Sequence, residues 1–110
     1  LRKCGTVVIE DGTYVGNIHA VYVFEGIAEI KGGKYSIQQT YPDAAKAYGF
    51  VLNCYDANRE NGTAKILVSG GEFVKFNPAD CWAEGAGTNF VVAGYKSVAS
   101  GTDVWKVVKE

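Results

Sequence analysis

Apolar and polar positions alternate along three short segments of the chain, residues 7–14, 28–35 and 66–73. Each segment has the same frame: an apolar residue, any residue, a second apolar residue, two more positions, then a glycine and, two residues later, an aromatic side chain. A period of two places alternate side chains on one face of a β-strand. The frame therefore predicts three equivalent strands with a shared apolar face, formed by Val7, Ile9, Ala28, Ile30, Ile66 and Val68.

A glycine follows the apolar part of each frame. Gly12 and Gly33 are 21 residues apart, and Gly33 and Gly71 are 38 residues apart. Glycine adopts positive φ without a Cβ clash, so the chain can turn sharply at these positions. We expect all three glycines to be structural corners. The aromatic residues two positions later are expected to point back into the core: Tyr14, Tyr35 and Phe73.

A second pair of apolar segments, residues 20–24 and 49–53, precedes the second and third frames. No single copy of such a unit can bury its apolar face, so copies must stack on each other. We therefore predict an all-β single domain: a short right-handed parallel β-helix of about three coils, with a C-terminal cap made of a helical turn and a hairpin. The predicted coils are residues 4–19, 20–48 and 49–76, and the cap is 77–110. The alternative is a β-sandwich, whose turns also use glycine at short intervals.

Two insertions separate the second and third frames. Pro42 suits a first helical position and Gly49 a helix end, so one or two helical turns are expected between them. Residues 54–63 are expected to be a polar turn that ends in Asn61-Gly62. In the predicted cap, residues 77–85 carry helix-start and helix-stop signals, and residues 89–98 and 103–108 are typical of strands joined by a turn at 99–102.

Charge and composition exclude several classes of protein. Eleven Lys and Arg against twelve Asp and Glu give a net charge of −1, which argues against nucleic acid or an anionic membrane as the main partner. No apolar run is long enough to span a membrane. The three cysteines are far apart and fit buried small hydrophobes; the alternative is one disulfide bridge with a spare thiol. The chain opens on Leu1 and contains no Met, so we expect it to be the C-terminal piece of a longer protein.

The C-terminal motifs resemble a known group of proteins. They are Asn77-Pro78 with Cys81-Trp82-Ala83-Glu84-Gly85, then residues 94–98 and 105–108, all following the glycine frame. Over residues 60–108 the chain is similar to the C-terminal repeats of right-handed parallel β-helix proteins of gut bacteria and their phages, among them adhesin-like surface proteins and phage fibre or head-fibre proteins. The resemblance implies a β-helical architecture and a virion-surface or extracellular, cell-surface location.

The candidate chemistry favours binding over catalysis. The acids are scattered, and His19 is the single histidine and stands in a turn. We expect no catalytic residue, no metal site and no cofactor. Aromatic faces beside Asp, Asn and Arg suit sugar rings, and the insertions concentrate such residues. The candidate glycan-binding residues are Tyr41, Asp43, Tyr48, Tyr55, Asp56, Asn58 and Arg59. The alternative is that the tyrosines pack over the side of the solenoid as a satellite core.

The predicted function is a non-catalytic structural and attachment module of a phage fibre or bacterial surface adhesin that meets a cell-surface glycan or host receptor. A homo-oligomer, with a trimer favoured, is expected because three coils alone supply little core. The alternative is a fragment of a β-helical polysaccharide lyase or glycosidase.

Overall fold

The computed structural model describes residues 5–40, 42 and 47–110. Within these ranges the chain forms ten β-strands and one short α-helix. Their bounds are β1 Thr6–Ile9, β2 Thr13–Gly16, β3 Val21–Val23, β4 Gly26–Ile30, β5 Lys34–Ile37, β6 Leu52–Cys54, α1 Asp56–Asn61, β7 Ala64–Val68, β8 Glu72–Val74, β9 Tyr95–Ala99 and β10 Val104–Lys109.

The strands are arranged in three sheets. The first sheet is parallel, with the order β1-β4-β7, and the third is a parallel pair, β3-β6. The second sheet has the order β2-β5-β8-β10-β9. Its first three strands are parallel, whereas β10 pairs antiparallel with both β8 and β9. The second sheet is therefore mixed.

Strand register follows the repeated frame. In the first sheet Ile9 pairs with Ile30, and Ile30 pairs with Val68. In the second sheet Tyr35 pairs with Tyr14 on one side and with Phe73 on the other. The rings of these aromatic residues are stacked, with centroids 5.2 Å apart for the two tyrosines and 5.0 Å apart for the second pair. Equivalent frame positions thus lie next to each other across the sheets.

The core receives side chains from all three sheets. Ile30 and Val68 come from the first sheet, Tyr35 and Phe73 from the second, and Leu52 from the third, and all five are fully buried. Alternation explains this burial, because every second residue of β4 and β7 points inward. The hydroxyl of Tyr35 donates a hydrogen bond to the carbonyl oxygen of Gly32, 2.6 Å away, which satisfies its one polar group.

The predicted three-coil parallel β-helix is wrong as the fold of this chain. In the second sheet parallel pairing stops at β8, because the antiparallel strand β10 occupies the free edge of β8 and carries β9 with it. The predicted hairpin is present, but it extends the second sheet instead of forming a separate cap, and the sheets do not close into a solenoid. The molecule measures 36 × 33 × 24 Å. This compact all-β arrangement of mixed sheets is closer to the alternative, a β-sandwich.

Two local predictions also need correction. Residues 77–85 form turns and isolated bridges instead of a helical turn, because Cys81 pairs with Thr88 and draws the chain into a tight loop. Residues 56–61, expected to lie in a polar turn, form the helix α1. The helical turns predicted between Pro42 and Gly49 lie largely outside the described residues, and residues 47–50 are a turn.

Candidate functional site

The helix α1 directly follows β6 and leads into β7. Asp56 lies in its first turn, where a carboxylate is favoured by the helix dipole. Its end is set by Gly62, whose φ of 88° is left-handed. The side chain of Asn61 accepts hydrogen bonds from the backbone N–H and the hydroxyl of Thr63, at 3.1 Å and 2.7 Å. These contacts account for Asn61-Gly62-Thr63 as a helix end.

An exposed aromatic pair lies beside α1. The rings of Phe24 and Tyr55 are stacked with centroids 4.9 Å apart, and 38% and 42% of these residues remain exposed. The backbone N–H of Tyr55 donates to the carbonyl oxygen of Val23 at 2.9 Å. The side-chain amide of Asn58 donates to the carbonyl oxygen of Phe24 at 2.6 Å. The pair is therefore held by a backbone hydrogen bond at Tyr55 and by a hydrogen bond from the side chain of Asn58 at Phe24.

A loop from the C-terminal third of the chain brings Glu84 to α1. Cys81 and Thr88 exchange two backbone hydrogen bonds of 3.0 Å, which closes the loop. The Thr88 hydroxyl accepts a hydrogen bond from the N–H of Glu84 at 3.1 Å and donates one to the carbonyl oxygen of Gly85 at 2.6 Å. These bonds fix the backbone at Glu84.

The carboxyl group of Glu84 has an unusual environment. Desolvation by burial, followed by a side-chain hydrogen bond with Asp56 and the charge of Asp56, raises the pKa of Glu84 to about 7. Arg59 opposes this shift, and Glu60 adds to it. Oε1 of Glu84 is buried and has no hydrogen-bond partner. The carboxyl group of Glu84 therefore changes its protonation close to neutral pH, with the side chain of Asp56 beside it.

Tyr22 faces the same pair from β3. Burial raises the pKa of the Tyr22 hydroxyl, and the nearby charges of Asp56 and Glu84 contribute to the shift. The guanidinium of Arg59 lies 5.8 Å from the centre of the Phe90 ring, a cation–π contact. We call this set of residues the α1 site: Tyr22, Phe24, Tyr55, Asp56, Arg59 and Glu84.

Two cysteines lie beneath the α1 site. Cys54 and Cys81 are buried and free. Burial raises the pKa of Cys54 to about 12 and that of Cys81 to about 11, so both thiols are protonated and unreactive near neutral pH. The prediction that they serve as buried small hydrophobes is confirmed. Cys4 lies outside the described residues.

The sequence-predicted glycan residues are divided by the structure. Tyr41 and Asp43 lie outside the described residues. Tyr48 contacts Lys75 after β8, with Nζ 3.4 Å from the hydroxyl and 4.9 Å from the ring centre. Tyr55, Asp56, Asn58 and Arg59 all lie on or next to α1. Tyr48 and Tyr55 therefore do not form one binding surface. The side-chain amide of Asn58 already donates a hydrogen bond to the carbonyl oxygen of Phe24.

Sequence reasoning missed Tyr22, Phe24 and Glu84 as members of the site. Phe24 and Tyr22 belong to an apolar segment that fits a core strand equally well. Glu84 is 28 residues from Asp56 in the sequence, and no local motif links them. The one available signal was alternation in β3, which places Tyr22 on the face opposite to Val21 and Val23.

The three corner glycines lie next to each other at one edge of the second sheet. Gly12, Gly33 and Gly71 have φ values of 115°, 99° and 97°, as sharp turns require. Together with Lys34, Glu72 and other residues they line a surface groove of about 410 Å³. The stacked turns lie close together. A Cβ on Gly71 would therefore lie only 3.3 Å from the carbonyl oxygen of Gly33, which favours glycine at this position.

His19 has a structural role in the part of the chain that is described. Its Nδ1 donates a hydrogen bond to the carbonyl oxygen of Phe50 at 2.8 Å, and its ring packs against Tyr22 with centroids 5.2 Å apart. Among the described residues no group of three His, Cys, Asp or Glu side chains is placed to hold a metal ion. No helix in these residues is both long and apolar enough to cross a bilayer.

Comparison of the chain with protein-family models, with curated proteins and with solved structures finds no match. The β-helical description is overturned by the mixed sheet, and neither the described residues nor the comparisons offer evidence for a phage, adhesin or carbohydrate-binding protein.

Proposed function

We propose that the protein is a non-catalytic binding module that recognises an organic cation at the α1 site. The observation that carries the proposal is the meeting of a carboxyl pair, Asp56 and Glu84, with exposed aromatic rings. The faces of aromatic rings attract ammonium groups, and carboxylates supply the complementary charge. A ligand with an ammonium group and an apolar body would use both features.

The buried oxygen of Glu84 supports this assignment. Oε1 has no hydrogen-bond partner, and a buried carboxylate oxygen without a partner is costly. A cation that approaches the pair would compensate this charge and favour the ionised form of Glu84. Binding should therefore release a proton near neutral pH.

The closeness of the two carboxyl groups supports binding over glycoside hydrolysis. Glycosidases use two carboxyl groups about 5 Å or more apart, so that the sugar or a water molecule fits between them. Asp56 and Glu84 instead share a side-chain hydrogen bond, which leaves no such space. The expected extracellular or cell-surface location stays a prediction.

The test compares choline with its neutral carbon analogue, 3,3-dimethylbutan-1-ol, in an NMR titration of the full chain. Choline is expected to shift the amide signals around Tyr22, Tyr55 and Glu84, with a dissociation constant on the order of 1–10 mM, as an isolated cation–π contact with charge support gives. The neutral analogue should bind at least about fivefold more weakly, and choline should bind more tightly at pH 8 than at pH 6.

Matched variants locate the site. Glu84→Gln and Tyr55→Leu should each weaken choline binding severalfold, whereas Glu29→Gln and Tyr48→Leu, which remove the same groups elsewhere, should not. Equal binding of choline and the neutral analogue would contradict the proposal, and so would choline shifts that map away from α1 or are absent.

A further inference from the structure

A second surface, which adjoins the α1 site at Tyr22, is formed by the first strand of each sheet. β1, β2 and β3 each pair on one side, with β4, β5 and β6 respectively. In the described ranges no strand lies on their other side. We call this surface the open end. Its backbone N–H and C=O groups are available for pairing with a further strand.

Side chains that point inward at the open end are more exposed than their partners in register on the neighbouring strands. Val7, Ala28 and Ile66 occupy the same position of the frame and pair across the first sheet. Val7 is 41% exposed, whereas Ala28 and Ile66 are 2% and 4% exposed. The orientation is the same, so the difference arises because nothing in the described structure covers β1.

The same contrast holds around the whole open end. Tyr14 is partly exposed, whereas Tyr35, its partner in register, is fully buried, and Val21 and Leu52 differ in the same way. Among the described large apolar residues that are exposed, Val7 points inward, whereas Val8, Val15 and Tyr22 lie at the alternate, outward positions of β1, β2 and β3 and add apolar surface around the open end.

An apolar cavity of about 250 Å³ opens at this end. It is lined by Val7, Ile9, Tyr14, Val21 and neighbouring residues, none of which carries a charge. The cavity gives solvent access to side chains that pack against the core. Such an opening can accept apolar side chains of a partner without desolvating an ion.

We propose that the open end is an interface between two copies of this chain, related by a two-fold axis. From the dimensions of 36 × 33 × 24 Å, an end face covers roughly 600–900 Å², against about 800 Å² per partner in a standard protein–protein interface. The face is therefore large enough for a stable dimer. Its uncharged, β-branched lining is self-complementary, as a two-fold interface requires.

The geometry of β1 specifies how the copies meet. A two-fold axis perpendicular to the first sheet makes the two β1 strands antiparallel and keeps inward faces aligned. Val8 then lies opposite Val8 of the second copy, and Val7 lies opposite Ile9 of that copy. Such β-branched cross-strand pairs are favourable. Each β1 edge gains backbone partners, and Val7 becomes buried.

The first experiment is sedimentation equilibrium of the full chain between about 5 and 300 µM. A monomer–dimer equilibrium is expected. Val7→Lys should raise the dimer dissociation constant at least tenfold, whereas Val98→Lys, on β9 at the opposite edge of the second sheet, should change it less than threefold. A monomer at 300 µM overturns the proposal, and so does a trimer, because a three-fold axis cannot make β1 antiparallel to its counterpart.

A second measurement does not depend on a variant that must fold. Amide hydrogen exchange of the unmodified chain is expected to be at least tenfold slower in β1 and β2 at 300 µM than at 5 µM, with no change in β7. Equal exchange rates in β1 at the two concentrations overturn the proposal. Protection that appears in β9 instead would place the contact at the opposite edge and also overturn it.

Discussion

The two ends of the stacked strands differ in what covers them. At the C-terminal end, β10 lies against β8, and the segment 76–91 adds side chains that are almost fully buried: Phe76, Cys81, Ala83 and Phe90. Val107 of β10 is equally buried. At the open end, β1, β2 and β3 have no such cover among the described residues. Residues with the same frame position are therefore buried at one end and exposed at the other.

This difference teaches that burial depends on the neighbouring strand and not on the residue type. Among the described residues, the phenol of Tyr14 stacks on one ring, that of Tyr35, whereas Tyr35 stacks on two, those of Tyr14 and Phe73. The same side chain in the same register therefore contributes differently to stability. Mutations at equivalent positions measure how large this contribution is.

The largest expected effect contrasts Phe73 with Tyr14. Phe73→Ala removes a fully buried ring and should lower the free energy of unfolding by about 3–5 kcal/mol. Tyr14→Ala removes a half-exposed ring and its hydrogen bond to the carbonyl oxygen of Asp11, and should cost only about 1–2 kcal/mol. Urea unfolding followed by circular dichroism provides both values. Equal costs would mean that the two ends are equally packed.

A smaller effect separates two corner glycines. An alanine Cβ at Gly71 would lie 3.2 Å from the ring of Tyr35 and 3.3 Å from a backbone carbonyl oxygen, in addition to a φ of 97°. At Gly12 the φ is 115°, and the closest atom is the hydroxyl of Tyr14 at 2.8 Å, the far end of a half-exposed side chain that can move. Gly71→Ala should therefore cost about 2–3 kcal/mol and Gly12→Ala about 1 kcal/mol. The order of the unfolding midpoints checks this, and a larger loss for Gly12→Ala would contradict it.

The smallest expected effect is a change of stability with pH. It arises from Glu84, which lies in the segment 76–91 that covers the C-terminal end of the stacked strands. Glu84 has a pKa of about 7 in the folded chain, against an ordinary value of 4.5. Between these values the folded form retains a proton that the unfolded form has released, so the contribution of Glu84 to stability is complete below pH 4.5 and is lost as pH rises through 7. Solvent screening keeps the loss to about 1 kcal/mol.

Unfolding midpoints at pH 5.5 and pH 8 test this dependence. The unmodified chain and Glu29→Gln should both be less stable at pH 8, whereas Glu84→Gln should lose most of that difference because it cannot ionise. A midpoint for the unmodified chain that does not change between the two pH values would show that Glu84 titrates normally.

Part of the candidate site was predictable and part was not. The polar stretch after β6 marked Tyr55, Asp56 and Arg59 as surface residues, and they lie together. Their partner Glu84 was not predictable, because it arrives through the loop closed by Cys81 and Thr88, and loop closure depends on contacts between segments that are distant in sequence. The sequence of residues 77–85 itself favours a helical turn.

The sequence by itself determined the local features of the fold. Alternation decides which side chains of β4 and β7 share a face, and glycine decides where φ can be positive, so the pairing of Ile9 with Ile30 and of Ile30 with Val68 follows from the frame. Only the tertiary structure decided that β10 joins β8 antiparallel, which makes the sheet mixed. A free strand edge can pair with a parallel or an antiparallel strand. The direction of β10 therefore depends on the path of the chain between β8 and β10, and not on the residues of β8.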